Sequence, residues 1–220
     1  MRTITPDQLT LAVLVAAIAG MVDVVAFLTL GGFFASFMSG NSTRLAISVT
    51  ANWFDLQLAA ALIITFVAGV VIAALLRRRH PARGQAVVLT LVAGLLTIAS
   101  AFAGFGDTWP LLLLAMAMGA VNLLFEADGA ARIGLTYMSG TLVRLGIALA
   151  DWYGGRSVGN DWQRPLLLWT AFFGGGMIGV GLYARFGLPT LWLPTLITIV
   201  LAVLNWRTTT PKQEDSAEQH

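Results

Sequence analysis

Long apolar runs separated by short polar breaks dominate this chain. They cover residues 9–30, 56–76, 85–106, 110–125, 165–184 and 188–206. The first is interrupted only by Asp23, and the second stops at Arg77-Arg78-Arg79. A helix needs about 20 apolar residues, rising 1.5 Å each, to cross the hydrocarbon of a bilayer. Most of the runs reach or approach that length without a charge. The pattern therefore predicts an all-α integral membrane protein with about six transmembrane helices.

A second pattern lies in the breaks. Met38-Ser39-Gly40-Asn41-Ser42-Thr43-Arg44-Leu45 returns as Met138-Ser139-Gly140-Thr141-Leu142-Val143-Arg144-Leu145. Asn52-Trp53-Phe54 matches Asp151-Trp152-Tyr153, and Gly20-Met21-Val22-Asp23 matches Gly119-Ala120-Val121-Asn122. Ala68-Gly69-Val70-Val71 corresponds to Gly174-Gly175-Gly176-Met177. An internal repeat is the economical explanation. It divides the chain into residues 1–106, residues 107–207 and a polar tail, residues 208–220, expected to be disordered. Each half holds three long helices, a polar break and a short helix, expected at residues 42–51 and 142–151.

A ten-residue helix covers about 15 Å, half the hydrocarbon. Trp53 and Trp152 at its end suit the membrane–water interface. The short helices therefore read as re-entrant segments. Full crossing by them, giving eight spans, is the alternative.

Charge separates these two models, because cytoplasmic loops are rich in Lys and Arg. Six spans with both termini inside place Arg2, Arg77, Arg78, Arg79, Arg83, Arg156, Arg164, Arg207 and Lys212 on one side and Arg185 alone on the other. Three spans per half make the two repeats inverted in topology. Localisation in a bacterial inner membrane, multi-pass, with both termini cytoplasmic, is the corresponding expectation.

Composition agrees. The chain of 220 residues is 57% hydrophobic and 11% charged, against roughly 25% charged in soluble domains. There is no cysteine, and the histidines are His80 and His220. No metal-binding, phosphate-loop or nucleophile motif is present, so neither enzyme activity, a metal nor a cofactor is expected. The cluster Arg77-Arg78-Arg79-His80 reads as a topology determinant touching lipid, not as a nucleic-acid site. The N-terminus imitates a secretory signal, but Asp7 and Asp23 fit one poorly. Thr5-Pro6-Asp7 instead reads as a helix start.

Ionisable groups at membrane depth face cavities or partners. Asp23, Arg44, Glu126, Asp128, Arg132 and Arg144 are the candidates. Non-helical backbone at Ser39-Gly40-Asn41 and Ser139-Gly140-Thr141, with Gly supplying the turn and Asn41, Ser42 or Thr141 the cap, would leave helix N-termini open to an anion. Arg44 and Arg144 add full charge there. Two such ends meeting at the midplane would form a solute site, a recurring transporter plan. In that arrangement Asp23, Asn122, Glu126 and Asp128 are coupling or counter-charge groups. The plainer reading pairs Arg44 with Asp23, and Arg144 with Glu126 or Asp128, to neutralise buried charge. Asp23 would otherwise hydrogen-bond the break, and the two acids of the second half would be solvated.

Gly20-x-x-Asp23 followed by Phe37-Met38-Ser39-Gly40-Asn41 resembles the YoaK-like family of bacterial inner-membrane proteins, a domain of unknown function with about six transmembrane segments. The resemblance spans nearly the whole chain apart from the tail. Ser39 stands where Thr is common in that family. The resemblance implies a membrane protein and no substrate. The functional expectation from the residues is a small secondary transporter or channel for a small polar solute, with anions among the candidates. The alternative is a non-transporting membrane protein that binds lipid or scaffolds a complex. Membrane lipid and a small solute are the expected partners. The small-residue pairs Ala16/Gly20, Gly69/Ala73, Ala115/Gly119 and Gly175/Gly179 suit internal packing or a homodimer.

Overall fold

The computed structural model describes residues 6–105, 108–127, 130–131, 138–156 and 162–208. Helix α1 spans Pro6–Thr29, α2 Met38–Ala51, α3 Trp53–Arg79, α4 Gly84–Phe102, α5 Trp109–Val121, α6 Met138–Tyr153, α7 Gln163–Phe186 and α8 Trp192–Thr208. A two-residue hairpin pairs β1, Glu126–Ala127, with β2, Ala130–Ala131. Five helical stretches are long and apolar enough to cross a membrane: Pro6–Thr29, Trp53–Arg79, Pro81–Phe105, Gln163–Phe186 and Leu188–Thr208. The sixth apolar helix, α5, has 13 residues, about 20 Å at 1.5 Å each. Turns through residues 122–125 prolong it.

Local chemistry sets the boundaries. Helix α1 begins on Pro6 with Asp7 in its first turn, where a missing N–H and a negative charge both suit the N-terminus. Thr5 lies outside the described residues. The Asn52 side chain accepts the Phe54 N–H at 3.0 Å and so starts α3 directly after α2. Pro81 follows the Arg77–Arg79 turn and stops α3. Gly187, at φ +65°, ends α7 and donates its N–H to the Tyr183 carbonyl; a positive φ favours glycine at this C-cap.

Helices α1 and α5 form the buried centre. Helix α5 is buried along almost its whole length, and α1 along most of its middle, residues 15–26. The outer helices expose Ile64, Val67, Phe173, Met177, Leu196 and Val200, the apolar surface that lipid would cover.

Two crossings bring backbones together, and they repeat. A Cβ on Gly20 would overlap the backbone carbonyl of Phe172, and one on Gly175 that of Ala17, where α1 crosses α7. In the same way Gly119 meets the carbonyl of Phe66, and Gly69 that of Met116, where α5 crosses α3. Gly20 corresponds to Gly119 and Gly69 to Gly175 in the sequence repeat. The partner carbonyl lies three residues upstream of the opposite glycine in all four cases. Close approach of this kind is what small residues permit between membrane helices.

Contacts along the crossings give helix direction. Helices α1 and α7 run parallel: Met21 packs on Gly179, and farther along both helices the Thr29 hydroxyl meets the Tyr183 hydroxyl at 3.2 Å. Helices α3 and α5 are also parallel, since Gly69 touches Met116 and Arg77 Nη1 reaches the Leu124 carbonyl at 3.3 Å beyond the end of α5. Helices α4 and α8 are antiparallel. Thr90 accepts from Trp206 Nε1 and Ser100 bonds Thr195, both at 2.8 Å. One end of the bundle therefore collects Arg77, Arg78, Arg79, Arg83, Arg164 and Arg207. Arg83 lies over the Trp206 ring, 5.2 Å from its centroid, at that end. Arg185 lies at the other.

Candidate functional site

The break between α1 and α2 folds back on α1. Gly31 and Gly32 take φ of +67° and +96° and turn the chain; that conformation favours glycine. The chain then descends until Ser36 is level with Asp23. Both oxygens of the buried Asp23 carboxylate accept from Ser36 at 2.7 Å, one from its N–H and one from its hydroxyl. Asp23 lies six residues before Thr29, about 9 Å below the end of α1.

Helix α2 starts at that depth and climbs back. The Asn41 side chain, fully buried, accepts the Phe34 N–H at 3.0 Å and donates to the Phe34 carbonyl at 2.7 Å. The amide thus pairs with one residue of the loop as a neighbouring strand would. Arg44, two turns up the helix and half-buried, donates from Nη1 to the Gly31 carbonyl at 2.8 Å. Its guanidinium carbon lies 4.4 Å from the centroid of the buried Phe33 ring. Phe34 packs between Phe27 and Phe37, with ring centroids 5.0 and 5.2 Å apart.

This geometry corrects several expectations. The motif Ser39-Gly40-Asn41 is the first turn of α2, and the non-helical break precedes it, at residues 30–37. Phe37 occupies the N-cap without a side-chain bond. Asn41 and Ser42 do not cap the helix; Ser42 donates to the Met38 carbonyl of its own helix at 2.8 Å. Gly40 serves contact and not a turn, since a Cβ there would strike the Phe37 and Phe34 rings. The turn falls to Gly31 and Gly32, a doublet that signals a turn in sequence. Ser36 and Phe34, the loop partners of Asp23 and Asn41, carry no distinctive signal.

In the second half, Ser139, Gly140 and Thr141 likewise form the first turn of α6, which extends to Tyr153. The Thr141 hydroxyl donates to the Met138 carbonyl at 2.6 Å, so it does not cap the helix either. Asn122 sits in the turn after α5 and donates to the Met118 carbonyl at 2.9 Å. Arg144 is exposed, with no hydrogen-bond partner among the described residues. Glu126 is placed by its backbone in β1. Its side chain, Asp128 and Arg132 lie outside the described residues.

The expected meeting of the two short helices does not occur among the described residues. Helix α2 packs on α3 and α6 on α7, and no extensive interface joins α2 to α6. Asp23 and Arg44 are not an ion pair, for Asp23 is committed to Ser36 and Arg44 to Gly31. The site divides into two separate ends, and the first is a closed clasp of Asp23, Ser36, Asn41, Phe34, Arg44 and Gly31.

Comparison with known proteins adds a family. A family model described as protein of unknown function (DUF1275) matches residues 11–204. The chain belongs to the DUF1275 family. A UPF0700 transmembrane protein of Rhizobium meliloti (strain 1021) is 32% identical over 198 residues, covering 88% of this chain and 84% of the relative. No solved structure matches the chain. The matched region of this DUF1275 protein contains the clasp, both glycine crossings and nearly all of α8. Membership agrees with the resemblance read from Gly20, Asp23 and residues 37–41, and with a membrane location.

Proposed function

We propose that this DUF1275 protein is a small secondary transporter or channel for a polar solute. The supporting observation is the pair of glycine crossings that repeats between the halves. Together with the parallel directions of α1 with α7 and of α3 with α5, it supports a reading as two intertwined repeats of opposite topology, residues 1–106 and 107–207. Each carries a re-entrant short helix. Inverted repeats with interrupted helices are a recurring transporter design, in which one repeat rocks against the other. The arginine-rich end is read as cytoplasmic, in a bacterial inner membrane with both termini inside.

The test is solute flux in proteoliposomes, over a panel of small anions, organic acids, cations, sugars and amino acids. Protein-dependent flux of one class is expected. Flux of none, from protein that stays folded, would reject the reading.

A non-transporting role, lipid binding or scaffolding, has its own support. The first break is filled by Phe34, Ser36 and Asn41, and Asp23 is buried against it. Introduced cysteines at Ser39 and Ser139 discriminate, because the chain has none of its own. Labelling of both from water fits a pathway; protection of both fits the second role.

A further inference from the structure

We infer that Arg44 is a preorganised receptor for an oxyanion, a carboxylate or phosphate presented from the arginine-poor end of the bundle. The guanidinium is fixed on three sides. Nη1 is bonded to the Gly31 carbonyl at 2.8 Å. The Phe33 ring lies 4.4 Å from the guanidinium carbon, and that ring is itself 2% exposed. Gly32 presses its backbone on the same group, so that a Cβ there would come within 2.9 Å of Nη2. Such a position needs the φ of +96° that glycine holds.

An arginine immobilised in this way usually has a carboxylate opposite. Here the natural candidate is unavailable, since both oxygens of Asp23 are held by Ser36. Among the described residues the donors of Arg44 beyond Nη1 meet no acceptor and no acid pairs with it. A single carbonyl bond requires no full charge, which a neutral amide could supply as well. The side chain is half-buried, so its remaining N–H groups are accessible while the cation is partly withdrawn from water. A planar, weakly hydrated fork held rigid is suited to two coplanar oxygens, and a fixed side chain loses little further entropy when it binds.

The location strengthens the assignment. Among the described residues Arg185 is the other arginine at this end of the bundle, so Arg44 is not part of the topology-setting cluster. Arg144, its repeat counterpart, is exposed and has no described bond holding it. The assignment is therefore made for Arg44 alone. It rests on the transport reading only in taking the oxyanion to be a solute; the receptor geometry holds without it.

Wild-type protein, Arg44→Gln, Arg44→Lys and Arg144→Gln are purified in detergent. Each is titrated with acetate, succinate and inorganic phosphate against chloride at matched ionic strength, with the unfolding temperature as readout. A ligand that binds the folded state alone raises that temperature progressively, with the logarithm of its concentration above Kd. The expected result is stabilisation of wild type and Arg144→Gln by at least one oxyanion. It should be absent in Arg44→Gln and weakened about tenfold in Arg44→Lys, because a point charge cannot replace the fork. The same comparison in nanodiscs, phosphatidylglycerol against phosphatidylcholine, identifies the source. Arg44-dependent stabilisation by the anionic lipid alone assigns the oxyanion to a headgroup. Should Arg44→Gln fail to fold, Phe33→Leu retains the charge without the ring and is expected to weaken binding several-fold. Stabilisation that survives in Arg44→Gln, or none by any solute or lipid, overturns the inference. Arg44-dependent binding without flux would keep it and reject transport, whereas flux that Arg44→Gln leaves intact would reject it and keep transport.

Discussion

Ser36 holds both oxygens of Asp23, each at 2.7 Å, one through its backbone N–H and one through its hydroxyl. Thirteen residues separate the two in sequence, yet the contact decides where α2 begins. It holds the break beside α1, and so sets the level at which the short helix starts. The second half has Asn122 at the corresponding place, bonded to the Met118 carbonyl of its own helix. The two halves share their crossings, while an amide stands at position 122 where the first half has the carboxyl group of Asp23.

Asp23→Ala should destabilise the protein by about 2–4 kcal/mol, because a buried N–H and hydroxyl on Ser36 lose charged acceptors. Asp23→Asn retains a carbonyl acceptor and an amide donor, and should cost about half as much. Thermal unfolding in detergent, followed by circular dichroism, checks the ranking. Equal loss in both variants would show that Ser36 is not held through this pair.

The four crossing glycines should be intolerant of a single methyl. Gly20→Ala, Gly69→Ala, Gly119→Ala and Gly175→Ala each drive a Cβ into a backbone carbonyl. A loss of about 1–3 kcal/mol is expected for each. Gly174→Ala and Gly181→Ala meet nothing within 4 Å and should be neutral or stabilising by up to about 1 kcal/mol, since alanine is the better helix former. The same unfolding assay separates the two groups of substitutions.

Asn41→Ala should cost about 1–3 kcal/mol, since it leaves the Phe34 N–H and carbonyl without their side-chain partners. Thr141→Ala should cost less than about 1 kcal/mol, because its hydroxyl bonds a carbonyl already within the same helix. Proteolytic sensitivity of residues 30–37 should rise in Asn41→Ala and stay unchanged in Thr141→Ala.

Topology is open to direct measurement in the cysteine-free chain. A membrane-impermeant maleimide should label Phe186→Cys in intact cells, and Ala82→Cys only after permeabilisation. These positions are exposed and lie at opposite ends of the bundle. The reverse pattern would place the arginine-rich end outside.

Apolar run length and the scarcity of charge dictated the membrane helices, because crossing hydrocarbon is a local requirement that each segment meets alone. The repeat of residues 38–45 at 138–145, and the glycines of the small-residue pairs, were legible for the same local reason. The direction of each helix and the carbonyl that each glycine meets were decided only when the chain packed, since packing depends on residues far apart in sequence. The two polar breaks were legible in sequence, but the geometry of the first was not. Polar residues after an apolar run mark a break, but its depth is set by Asp23 binding Ser36, and the turn by Gly31 and Gly32 closing over Arg44. Sequence alone placed two charges, Asp23 and Arg44, near one break. Tertiary structure kept them apart by giving each a nearer partner in the loop, an N–H and hydroxyl for the acid and a carbonyl for the base.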